Sequence, residues 1–200
     1  MCDAFGSLVS DASVSEVSAR DVTESDASAV QAALSYARGV LDARPEAGCV
    51  AVCVGCCASG GVTPAGSAVL CGSGRGVRPL LAWLAQGVRL DGYAAVDRVV
   101  GRGAALLYAK LGVEAVHALT MSEAGVAALR AHGVLASYDR LVPVILNRAG
   151  DGMCPIECAV TSVDEASDAS LPVDLDVDLD EAESVIRAAV AHLMASRPSD

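Results

Sequence analysis

Tyr93-Ala94-Ala95-Val96-Asp97-Arg98-Val99-Val100-Gly101-Arg102-Gly103-Ala104-Ala105-Leu106-Leu107-Tyr108-Ala109-Lys110-Leu111-Gly112 holds a complete strand-to-helix unit. The apolar start Tyr93–Val96 reads as a strand. Val99–Leu111 reads as a helix that Gly112 stops. The alternation continues downstream. Val113–Leu119 is a strand, Ser122–His132 a helix ended by Gly133, and Val134–Ser137 a strand. Upstream, Val77–Leu84 is helical, and the short apolar runs Cys49–Val54 and Ser67–Cys71 are joined by a Gly/Ser/Pro-rich loop. Strands and helices alternating at these lengths predict an α/β protein, with a mixed five-stranded sheet flanked by helices. An initial hairpin is followed by parallel strands.

Beyond this unit the pattern changes. Residues 1–24 are rich in Ser and acids without sustained periodicity, which predicts a disordered tail. Ser25-Asp26 then resembles an N-cap, with Val30, Ala33, Leu34, Ala37 and Leu41 at helical spacing up to Pro45. After the last strand come Leu141–Asn147, a Gly-containing turn and a short helix starting near Cys154. The expected division is a tail over 1–24, an α/β domain over 25–163, an acidic linker over 164–178 and an amphipathic helix over 179–196. In that last helix Val185, Ile186, Ala189, Val190 and Leu193 form one stripe. It must dock on the domain or on another subunit of a homo-oligomer, and docking in cis is the expectation.

The 200 residues carry 25 acidic and 14 basic side chains, for a formal net charge of -11. Such a charge speaks against a nucleic-acid polymer or an anionic membrane as partner. The distribution is uneven. Residues 1–47 hold 8 acids and 3 bases, residues 48–148 hold 5 and 9, and residues 149–200 hold 12 and 2. An acidic protein thus contains a basic middle. No apolar stretch reaches the roughly 18 residues that span a bilayer, and Met1-Cys2-Asp3-Ala4-Phe5 lacks the positive start of a signal peptide. A cytoplasmic location with mostly reduced thiols is therefore expected for the eight cysteines. The lone C-x-x-C of Cys53 and Cys56, with Cys49 and Cys57 nearby, would need a second ligand pair to make a structural zinc site, and only Cys71 or Cys154 and Cys158 could provide it. Small buried thiols account for it more simply.

Two stretches carry a resemblance. Asp97-Arg98-Val99-Val100-Gly101-Arg102-Gly103-Ala104-Ala105 is the first. Ser137-Tyr138-Asp139-Arg140-Leu141-Val142-Pro143, followed by Asn147-Arg148-Ala149-Gly150-Asp151-Gly152-Met153-Cys154-Pro155-Ile156-Glu157, is the second. Together they resemble the small prokaryotic family called domain of unknown function 1893, over roughly residues 48–162. The resemblance implies a three-layer cytidine deaminase-like fold and no assigned biochemical role. The family usually has Lys where this chain has Arg98 and Arg102, so a covalent-amine mechanism at these positions is not expected. Zinc deaminases place a His-x-Glu or Cys-x-Glu and a Pro-Cys-x-x-Cys at two helix starts. The matching starts here read Gly74-Arg75-Gly76-Val77-Arg78-Pro79 and Asp97-Arg98-Val99-Val100-Gly101, without those ligands. No metal or other cofactor is called for.

The chemistry left at those starts is cationic. Gly74-Arg75-Gly76 and Gly101-Arg102-Gly103 repeat one tripeptide, with Arg78 and Arg98 close by. Free N–H groups at a helix start, glycines that admit a ligand and guanidinium forks suit a phosphate or carboxylate. A small anionic metabolite, nucleotide- or phosphate-like, is the expected partner. Arg75, Arg78, Arg98, Gly101 and Arg102 would hold it, with Asn147 and Arg148 orienting the rest. Surface arginines and packing glycines are the alternative. Asp97 is either a helix N-cap or a cleft carboxylate acting as base or hydroxyl acceptor. Cys154, before Pro155 at a helix start, is the leading nucleophile candidate, and Glu157 is a cap or an acid/base beside it. A metal-independent transferase or hydrolase using Cys154 or Asp97, and a regulatory or assembly module, stand as rival functions.

Overall fold

A computed structural model describes residues 24–55, 68–165 and 178–196. Residues 1–23 of the expected tail, most of the acidic linker, Ser67, Cys56 and Cys57 lie outside them, and Glu24, the expected tail's last residue, is already helical. The chain begins with α1 (Glu24–Asp42), then β1 (Ala47–Cys53) and β2 (Val69–Ser73), which pair antiparallel. α2 (Arg78–Ala85), β3 (Tyr93–Val100), α3 (Arg102–Leu111), β4 (Ala115–Ser122), α4 (Glu123–Ala131) and β5 (Leu135–Val142) follow. α5 (Pro155–Glu165) and α6 (Leu179–Ala195) complete the described chain. The five strands form one mixed sheet in the order β2-β1-β3-β4-β5. β3 pairs antiparallel with β1 and parallel with β4, which is parallel with β5.

The sheet separates two apolar clusters. On one face α1 lays Val30, Ala33, Leu34, Ala37 and Leu41 against Val50, Val52, Ala94 and Val96. The five α1 positions are the stripe read from helical spacing, and all are buried. The other face packs against α2, α3 and α4, where Leu80, Leu106, Leu107, Leu111 and Leu129 are fully or nearly fully buried. Among the described residues three rings, Trp83, Tyr93 and Tyr108, are buried amid many aliphatic side chains, so density comes mainly from interdigitated Ala, Val and Leu. α3 ends at Gly112, whose φ of 87° places it in the left-handed region.

α6 docks in cis, against α3, α5 and α2. Ile186 from its stripe is buried, as is Ala182 one turn earlier, while Leu193 from the stripe and Met194 stay exposed. Lys110 of α3 pairs with Asp180 at 2.5 Å and with Glu183, and Arg187 donates to the Leu81 carbonyl at 3.3 Å.

One boundary differs from the sequence reading and bears on the site. β3 runs to Val100, and α3 starts at Arg102 with Gly101 as N-cap. The helix start was expected at Val99. Asp97 and Arg98 are therefore strand residues, and strand alternation sends their side chains to opposite faces of the sheet.

Candidate functional site

Because β3 is antiparallel to β1, and β1 to β2, the ends of β2 and β3 and the start of β1 meet at one edge of the sheet. A cavity of about 690 Å³ opens there, lined by Asp42, Glu46, Gly48, Gly74, Arg75, Gly76, Asp97, Arg98 and Val99 among others. It lies at the C-terminal ends of parallel strands, where open α/β sheets commonly bind ligands. Gly74 and Gly76 shape its wall with φ of 101° and 62°, a conformation that other residues rarely adopt.

Asp97 is the cavity's buried carboxylate, 5% exposed. Its Oδ1 accepts from the Val99 N–H at 3.0 Å and its Oδ2 from the Tyr108 hydroxyl at 2.8 Å. Burial pushes its carboxyl up to about 6, against the opposing effect of these donors. Cys49, the cross-strand partner of Asp97, completes a buried group with Tyr108. Burial first, then the Asp97 charge, pushes both the Cys49 thiol and the Tyr108 hydroxyl well up from their usual ranges. The N-cap alternative for Asp97 gives way to the cleft carboxylate, since Gly101 holds the cap position.

Arg98 reaches the other face. Its Nε donates to the Ala47 carbonyl at 2.9 Å, and one Nη donates to the Leu41 and Arg44 carbonyls at 3.0 and 3.2 Å. α1 has no basic residue in its last turn, and Arg98 satisfies carbonyls there. It lines the cavity, but most of its donors serve the main chain.

A second, smaller pocket of about 80 Å³ adjoins the first, and both are lined by Gly76 and Val99. It holds Gly101, Ile145, Cys154 and Glu157. Glu157 is 4% exposed. Its Oε1 accepts from the Ser122 hydroxyl at 2.6 Å, and Ser122 Oγ in turn accepts from the Gly125 N–H at 3.0 Å as the cap of α4. The Glu157 carboxylate also lies where a Cβ on Gly101 would stand, so glycine at the start of α3 is a matter of space.

The predicted residues are thus divided. Arg75, Asp97 and Arg98 share the larger cavity, and Gly101, Cys154 and Glu157 the smaller. Arg102 sits half-buried at the first turn of α3. Arg78 lies against Met194 of α6 and lines neither cavity. Asn147 is occupied within its own turn, bonding Asp151 at 2.8 Å and the Gly150 N–H at 2.8 Å, and the exposed Arg148 lines neither cavity. Tyr108 and Ser122 were missed by sequence reasoning. A tyrosine in a helix of Ala and Leu needs a polar partner when buried, and that was the available signal.

Four described cysteines, Cys49, Cys71, Cys154 and Cys158, form no disulfide, while Cys53 is disulfide-bonded. Among the described residues no group of three or more His, Cys, Asp and Glu is placed to hold a metal ion. No helix among them is long and apolar enough to cross a membrane.

Fold and site together define an α/β protein with a mixed five-stranded sheet and a polar crevice at its strand ends. Residues 61–174 match the family described as Domain of unknown function (DUF1893), and the chain belongs to that family. The structure is similar to the crystal structure of a DUF1893 family protein from Thermotoga maritima, with a TM-score of 0.55 and 21% sequence identity. The similarity covers 81% of this chain and 90% of that one, and it speaks to the fold. No curated protein matches the sequence.

Proposed function

We propose that the larger cavity binds a small anionic metabolite, nucleotide- or phosphate-like, in a cytidine deaminase-like fold that works without zinc deaminase chemistry. The observation that carries this reading is the company kept in one cavity of about 690 Å³: Arg75 and Arg98 beside a buried Asp97. That volume falls in the range of small-molecule sites. Arg75, exposed on the glycine loop before α2, takes the anionic end. Asp97, with Glu46 and Asp42 on the rim, takes hydroxyl or amino groups at the other end. A ligand with both ends, such as a sugar phosphate or nucleotide, matches a lining of both signs. The order of strands and the helices on both faces support the deaminase-like assignment, and the starts of α2 and α3 carry Arg78 and Arg102 where zinc enzymes carry ligands.

A thermal-shift panel of nucleotides, sugar phosphates and carboxylates tests the reading. A ligand at 100 times its Kd adds about 2.7 kcal/mol, a rise of several degrees for a chain of this size. No anion raising the midpoint overturns the proposal.

One observation favours a second reading, a metal-independent transferase or hydrolase. Asp97, with a carboxyl at about 6, has the proton affinity of a general base, and Cys154 and Glu157 sit together in the adjoining pocket. Cys154 alkylated by iodoacetamide faster than Cys158 near neutral pH supports a nucleophile there. Equal or slower alkylation removes it.

A further inference from the structure

β5 is the last strand in the sheet and is hydrogen-bonded on one side, to β4. The Leu135 N–H donates to the Glu114 carbonyl, so Leu135 turns its main-chain groups inward. By strand alternation Ser137, Asp139 and Leu141 do the same, and Ala136, Tyr138 and Arg140 turn theirs outward. Among the described residues no strand meets this outer edge. The side chains along it are open as well: Leu135 is 51%, Tyr138 38% and Leu141 42% exposed. A strand of this length with apolar side chains and unpaired main-chain groups is a template for another strand.

We propose that the occupant is a second copy of this chain, with β5 pairing antiparallel to β5 about a twofold axis through Tyr138 and the two sheets becoming one.

Hydrogen bonding and charge select that register. In a symmetric antiparallel pair the outward-turned residues must face one another, so with most of β5 overlapped the axis passes through one of residues 136 to 140. An axis through Asp139 sets two carboxylates opposite each other, and one through Ser137 sets Leu135 against Asp139 of the partner subunit and leaves Leu141 unpaired. An axis through Arg140 sets two guanidinium groups opposite each other, which is unfavourable. An axis through Ala136 lets β5 overlap only at its start and leaves Leu141 unpaired. The axis through Tyr138 brings the whole segment from Leu135 to Leu141 into register. Leu135 then faces Leu141 of the partner subunit, and the tyrosines face each other. Ser137 faces Asp139 of the partner subunit, hydroxyl to carboxylate, and Arg140 faces Ala136 of the partner subunit. No like charges oppose. Asp139 is already positioned, since Arg38 and His117 hold its oxygens at 2.8 and 3.1 Å. A strand from an unrelated protein would not require this self-complementary order.

Sedimentation equilibrium across a dilution series reads the outcome. The wild-type chain should be dimeric. Leu135→Lys, at an exposed position that folding tolerates, should raise the dimer Kd by roughly tenfold or more, because two apolar pairs are lost at once. The double variant Leu135→Lys/Leu141→Glu should regain affinity, since each introduced lysine then faces an introduced glutamate in this register alone. A wild-type chain that stays monomeric overturns the proposal. So does a Leu135→Lys dimer of unchanged affinity, or a double variant no tighter than the single one.

Discussion

Asp97 sits in a central strand with its carboxylate gripped by Val99 and Tyr108, and its cost and its use share one cause. Burial raises its carboxyl from 3.8 to about 6. The folded protein therefore holds more protons than the unfolded chain between those values. The contribution of Asp97 to stability is full below about pH 4 and is lost as pH rises through about 6. A shift of that size corresponds to a change on the order of 3 kcal/mol. Asp97→Asn cannot ionise, so the unfolding free energy of wild type minus that of the variant should fall across this window and level off above it. Urea titrations at a series of pH values measure the difference. A flat difference would mean that Asp97 ionises as an ordinary surface acid. Part of this residue was legible in the sequence, as a carboxylate at a strand end. Its partner was not, because Tyr108 stands eleven positions on and meets Asp97 only through the packing of α3 on β3.

At the scale of elements, α3, α4 and α5 are tied together by few groups. Ser122 caps α4 and donates to Glu157 of α5, whose carboxylate lies against Gly101 at the start of α3. Ser122→Ala removes the cap, worth ~1 kcal/mol, and leaves a buried carboxylate without its donor, worth about 1–3 kcal/mol more. In a Glu157→Gln background the loss should shrink toward that of the cap alone. Denaturant midpoints of the four proteins in this cycle check the coupling, and an equal loss in both backgrounds contradicts it. The elements themselves were largely legible: apolar spacing gave α1 and α6, and Gly112 and Gly133 marked the ends of α3 and α4. The boundary between β3 and α3 was not. Asp97-Arg98-Val99-Val100 reads equally as a capped helix start, and pairing with β4 up to Val100 decides for strand.

The whole molecule sets a basic middle between acidic ends, yet its cavity is lined by both signs. Sequence spacing placed four arginines at two helix starts, and three-dimensional packing reassigned two of them. Arg98 went to the carbonyls around the end of α1 and Arg78 to α6, leaving Arg75 as the cavity's cation most open to a ligand. These reassignments depend on contacts with residues far along the chain, which local pattern does not encode. α6 belongs to the body through Ile186 and Lys110, so a chain ended at residue 177 should lose stability. Emptying the Ile186 site alone costs about 2–5 kcal/mol, or roughly 5–15 °C in the thermal midpoint. An unaltered midpoint would make α6 peripheral. Arg75 is the proposed anchor of an anion in the cavity beside Asp97. Isothermal titration of the most stabilising anion into wild type and Arg75→Ala reads that role. One site per chain is expected, with a Kd raised at least tenfold by the substitution, roughly the loss of one charge-assisted hydrogen bond. Equal affinity in the two proteins would remove Arg75 from the site.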